Sequence, residues 1–178
     1  MRFLTHAAVA VTALTVLTSL PVLTACSPTF NWRDVRPEGT RLALLMPCKP
    51  DKAQRTVPMA GQPTALNLLS CDAGGVTFAV SVADVDDAAK TAAVLVQWQS
   101  ATSANFKALP TPGTAFKLPG LTSAGVMVKA TGQRANGQVV SSQAAYFAQD
   151  SRVFQAMMYA DNISPDVADT FFSGLKFE

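Results

Sequence analysis

A chain of 178 residues has room for one domain with a sizeable core once any targeting segment is set aside. Only 15% of its residues are charged and 49% are apolar, which excludes an intrinsically disordered chain. Of its 14 Lys and Arg, Arg2 lies at the very start, and the other 13 stand against 12 Asp and Glu, so there is no electrostatic case for nucleic acid.

Arg2 gives the first residues a positive charge, and Ala7 to Leu20 is an uncharged run of Ala, Val, Leu, Thr and Ser. That length and polarity match the core of a signal peptide. Leu23-Thr24-Ala25-Cys26 follows, and these four residues resemble the lipobox of bacterial lipoproteins. The resemblance implies that residues 1–25 are a signal peptide cut between Ala25 and Cys26. Cys26 would then receive diacylglycerol, and the new amino terminus a further acyl group such as palmitate. Each buried acyl methylene adds about 0.8 kcal/mol, so two or three chains hold a protein durably on a membrane. The rival reading, an uncleaved anchor over residues 3–25, needs a run that Thr12, Thr15, Thr18, Ser19 and Pro21 interrupt. Ser27, where an aspartate would argue for inner-membrane retention in enteric bacteria, favours the outer membrane, facing the periplasm.

Export to an oxidising compartment leaves Cys48 and Cys71 as the remaining thiols, and an even remainder suggests one disulfide. Closing that loop would stabilise the domain by roughly 3 kcal/mol. A redox pair would place the thiols two residues apart, and zinc would need two further Cys or His ligands.

Residues 26–31 read as a short tether and residues 32–178 as a single domain, with Trp32 at its start. Leu42, Leu44 and Met46 alternate in a strand that Pro47 ends. Strands are expected over 54–59 and 65–70, separated by Gly61, Gln62 and Pro63. After the Asp72-Ala73-Gly74-Gly75 turn, Val76, Phe78, Val80 and Val82 alternate with smaller residues in the cleanest strand. Asp84, Asp86 and Asp87 then lead into a helix expected over about 86–104, with Ala88, Ala92, Leu95 and Trp98 on its inner face. The acidic trio lacks the spaced carboxylates and turn glycine of a calcium loop. Residues 108–121, rich in Pro and Gly, read as a long irregular stretch with exposed Phe116 and Leu118. Strands over 126–131 and 139–147 flank Asn136-Gly137, a hairpin pair in which both residues tolerate positive φ. Asp150-Ser151 turns into a strand over 153–159. Ser164, Pro165 and Asp166 supply an N-cap, a fixed-φ first turn and a dipole-favoured acid for a last helix closed by Gly174.

These elements give an α+β fold: an antiparallel sheet of six to seven strands with a long central helix and a C-terminal helix packed on it. Met46-Pro47-Cys48-Lys49-Pro50 at a strand end, and the closing Phe171-Phe172-Ser173-Gly174-Leu175-Lys176-Phe177, are similar to phrases of the PsbP-like family. The resemblance implies an α/β/α sandwich and an accessory role, docking on other proteins without catalysis.

Exported chemistry is restricted further. The only histidine, His6, leaves with the leader, which removes Ser-His-Asp and Cys-His sites. Gly74-Gly75 runs into a strand without the Lys-Ser of a phosphate loop. Asp161, Asp166 and Asp169 surround a helix start, where acids are already explained. The leading expectation is therefore a non-catalytic, membrane-tethered domain with no cofactor, docking on an envelope protein through Phe116 and Leu118. The alternative is a small-ligand or lipid carrier with a pocket between sheet and helix lined by Phe78, Trp98, Phe154 and Met157. An enzyme built on reactive Cys48 and Cys71 is the third reading.

Overall fold

Alternating apolar residues, broken by turn-forming pairs, set the architecture. The computed structural model describes residues 28–109 and 111–178, so Ala25 and Cys26, with the whole leader, lie outside the described residues. In chain order the elements are β1 (Arg33–Val35), β2 (Leu42–Met46), β3 (Asp51–Met59), β4 (Gln62–Ala73), β5 (Val76–Asp84), α1 (Thr91–Asn105), β6 (Thr114–Phe116), β7 (Gly125–Gln133), β8 (Val139–Gln149), β9 (Arg152–Ala160), α2 (Pro165–Ser173) and β10 (Lys176–Phe177). The fold is mixed α+β. Seven strands form an antiparallel sheet in the order β3-β4-β5-β9-β8-β7-β6.

The strand over 42–46 is not part of that sheet. β2 forms a separate three-stranded sheet with β1 and β10. Its Leu42, Ala43, Leu44 and Met46 are all buried, a pattern of contact on both faces rather than one.

Strict alternation sends the central strands' side chains into two cores. Phe78 and Val80 of β5, Ala145 and Phe147 of β8, and Phe154, Ala156 and Met158 of β9 meet β2 and α2 on one face. Ala144, Tyr146 and Ala148 of β8, with Val153 and Met157 of β9, meet α1 on the other. The sheet is therefore the middle layer, and α1 lies outside it rather than at the centre.

The turns explain the register. Gly74 and Gly75 both take positive φ, at 58° and 75°, in the two-residue link between Ala73 and Val76. Ala60 and Gly61 do the same for β3 and β4, so Gln62 and Pro63 belong to the strand and not to the turn expected there. In the β7–β8 link only Gly137 is left-handed, because the loop runs over 134–138 and Asn136 instead accepts from the Gln138 N–H at 3.1 Å.

The first helix starts later than expected, whereas the second starts where expected but without a side-chain cap bond. Asp86 has φ 59° and lies outside any helix, while Asp87 caps a short 3-10 turn over Ala88–Lys90 by accepting from Ala89 N–H at 2.9 Å. The inner face of α1 is Thr91, Val94 and Leu95; Ala88 and Ala92 are exposed. Ser164 makes no side-chain cap bond, so the start of α2 relies on Pro165 and Asp166. Gly174 has an ordinary φ of −73°; a side chain there would press on Leu45 of β2.

Candidate functional site

Cys48 and Cys71 are bonded, with Cα atoms 6.0 Å apart, joining the segment after β2 to β4. This removes them as a reactive pair in the oxidised protein, because neither sulfur is a free thiolate.

The loop expected to offer Phe116 and Leu118 is partly strand, since Thr114–Phe116 pairs with β7. The Phe116 ring lies 5.5 Å from that of Phe147, and both Phe116 and Leu118 are half-buried against the core. Their expected exposure is thus corrected to half-burial, because packing part of their apolar area against the sheet is favourable.

The four residues expected to line one pocket do not meet. Phe78 and Phe154 are fully buried on the α2 face, while Trp98 and Met157 sit on the α1 face. Positions 78 and 154 are both even-numbered and 157 odd, and in β5 and β9 that parity decides which side of the sheet each side chain reaches.

What the α1 face does contain is a groove of about 420 Å³ between α1 and the β3–β4 hairpin. Val57, Met59 and Leu66 form its hairpin wall, and Val94 and Trp98 its helix wall. It arises because α1 packs over β8 and β9, leaving the outer strands β3 and β4 partly uncovered. Arg55 at the rim adds a cation. Among the described residues β3 is also a free sheet edge of nine residues, whereas the opposite edge, β6, has three. A free edge exposes unpaired backbone donors and acceptors, which an extended segment can complete.

Beneath α1, the buried Gln155 amide donates to Thr102 Oγ1 at 2.9 Å and to the Tyr146 hydroxyl at 3.1 Å. Burial pushes the Tyr146 hydroxyl above its ordinary pKa, so it stays protonated. These bonds hold the helix wall of the groove in place. Neither Gln155 nor Thr102 stood out in the sequence, because a lone polar residue in an apolar strand has no local signature.

Elsewhere a cleft of about 570 Å³ lies between the β7–β8 pair and the start of α2, with Asp169 on its wall. Asp161 pairs with Arg134 at 3.3 Å, and Asp166 stands in the first turn of α2. Among the described residues no group of three or more His, Cys, Asp or Glu is placed to hold a metal ion. No helix among them is long and apolar enough to cross a membrane.

No protein-family model and no curated protein matches the chain. Among solved structures, it is similar to a Bacteroides thetaiotaomicron protein at 12% identity and a TM-score of 0.47, over 77% of this chain and 45% of that one. The chain thus spans less than half the length of that structure. A Pseudomonas aeruginosa protein of unknown function, described as a putative regulator, is similar at 15% identity and a TM-score of 0.39, over 76% of this chain and 85% of that one. Likeness at this level assigns neither a family nor an activity.

Proposed function

We propose that the chain is an envelope lipoprotein whose acylated Cys26 holds a non-catalytic docking domain on a membrane, the outer membrane facing the periplasm. The observation that carries this is Leu23-Thr24-Ala25-Cys26 directly after an uncharged apolar run. The PsbP-like resemblance belongs to the same reading and supports an accessory role. The docking surface is the α1–hairpin groove with the β3 edge, and its occupant is an extended segment of a protein partner. Backbone pairing along β3 would supply affinity, and the apolar walls at Val57 and Trp98 would supply side-chain selectivity.

Labelled palmitate followed through the wild type and Cys26→Ser is the test of the anchor. Wild type should carry label and partition into detergent, and the variant should lose both; an unlabelled wild type overturns the reading. A photo-crosslinking residue at position 55 in intact cells should give one discrete adduct that Trp98→Ala weakens. The same residue at position 116 should give none.

A further inference from the structure

Resting on the lipoprotein reading, we infer that the domain lies against the bilayer by one end of its sheet, with Leu109 and Val139 touching the lipid interface and the groove turned away.

The first argument is reach. The chain is already docked at Phe30, two residues before the expected start of the domain at Trp32. The Phe30 ring stacks on Trp32 at 5.9 Å and meets Phe78 edge-on at 6.4 Å, and Asn31 N–H donates to the Pro47 carbonyl at 2.8 Å. Only Ser27, Pro28 and Thr29 separate Phe30 from Cys26. Fully extended, the path from Cys26 to Phe30 spans at most about 14 Å. A nine-residue strand such as β5 is about 30 Å long. The anchor therefore cannot reach past the middle of the sheet.

The second argument identifies which end is near. A side chain on Gly74 would collide with Phe30 and Thr29, so the docked segment lies on the β4–β5 turn. Pairing across the sheet runs Thr77 to Tyr159, Tyr159 to Ser142, and Ala160 to Ser141. The β4–β5 turn, the end of β9 and the β7–β8 link therefore share one end. The β3–β4 and β8–β9 turns occupy the other.

The third argument is what that end exposes. Among the described residues the exposed large apolar side chains are Val96, Leu109 and Val139, at 65%, 81% and 60%. Val139 begins β8 beside the β7–β8 link, and Leu109 shares a cleft with Thr131 and Ser141. Two of the three thus sit at the tethered end, where a lipid interface would cover them.

The test uses the acylated chain in vesicles of phosphatidylethanolamine and phosphatidylglycerol. With Cys26 acylated and Cys48 bridged to Cys71, an introduced cysteine carries the only free thiol, so a fluorophore can be placed by Leu109→Cys, Val139→Cys, Gln62→Cys or Ala88→Cys. All four positions are exposed, so the substitutions do not disturb the core. Lipids carrying a shallow nitroxide quencher should lower fluorescence at positions 109 and 139 at least twofold and leave 62 and 88 unchanged. Equal quenching at all four, or quenching only at 62 and 88, overturns the orientation while the anchor stands. A chain that is not acylated and does not float with the vesicles overturns the orientation and the anchor together.

Discussion

The two faces of the seven-stranded sheet are built for different purposes. Against β2 and α2 the sheet presents Phe78, Phe147, Phe154 and Met158, all fully buried, and Phe171 of α2 meets Phe78 at 5.3 Å. Against α1 it presents a mixed set, Ala83, Ala144 and Ala148 beside Val153, Met157 and Tyr146, with the Gln155–Thr102–Tyr146 hydrogen bonds set between sheet and helix. Large interdigitated rings give one face most of the stability. On the other, a single covering helix that leaves β3 and β4 partly bare makes room for a groove. A protein can lose little stability by keeping such a groove open when its main core lies elsewhere.

The sharpest way to break this comparison is to truncate one large side chain on each face. Phe78→Ala should lower the unfolding free energy by about 3–5 kcal/mol, because its ring touches both Trp32 and Phe171. Trp98→Ala, half-buried on the groove wall, should cost less than about 2 kcal/mol in the same urea titration. Equal losses would mean that the faces share the load.

Next in size is the bridge that fastens the β2 side to the sheet. Replacing both partners, Cys48→Ser with Cys71→Ser, should cost about 3 kcal/mol by the loop-entropy argument, seen as an earlier urea midpoint. Reduction of the wild type should reproduce that shift.

Tyr146→Phe probes the α1 face. It leaves the buried Gln155 amide with Thr102 as its remaining partner, so about 1–2 kcal/mol should be lost. A neutral outcome would show that this bond does not hold α1 in place.

The smallest effect concerns the turn end of the sheet. Ser151 Oγ–H donates to Asp84 at 2.6 Å and holds its carboxyl below the ordinary pKa, against a smaller opposing effect of burial, with Asp86 N–H and Arg152 also lowering it. A depressed carboxylate pKa stabilises the fold above the unfolded value and loses that contribution as pH falls through the folded value. Asp84→Asn should therefore cost at most about 1 kcal/mol at pH 7, given solvent screening, and nothing once the pH is well below about 4. Thermal melts across pH 3–7 would show the two curves converging at the acid end.

Local chemistry made much of this readable in advance. The alternation from Val76 to Val82 specifies β5, and Gly74-Gly75 its preceding turn, because both depend only on neighbours in the chain. The same holds for the break at Pro165 that starts α2. Asp86 misleads for a reason of its own: an acid before a helix is usually dipole chemistry, but here it takes a left-handed turn and bonds its N–H to Asp84 at 3.0 Å. The candidate groove was not legible, since its walls come from strands 57–66 and helix residues 94–102, which only packing brings together.

By itself the sequence determined the longer strands β2 to β5 and β7 to β9, the Leu23-Thr24-Ala25-Cys26 motif and the pairing of Cys48 with Cys71, all set by local polarity, backbone preference or simple parity. Only the tertiary structure decided that β2 leaves the main sheet, that Phe78 and Trp98 face opposite layers, and that Phe116 packs inward. Those outcomes depend on which apolar surfaces meet across long chain separations, and burial rewards the best global fit, not the best local one.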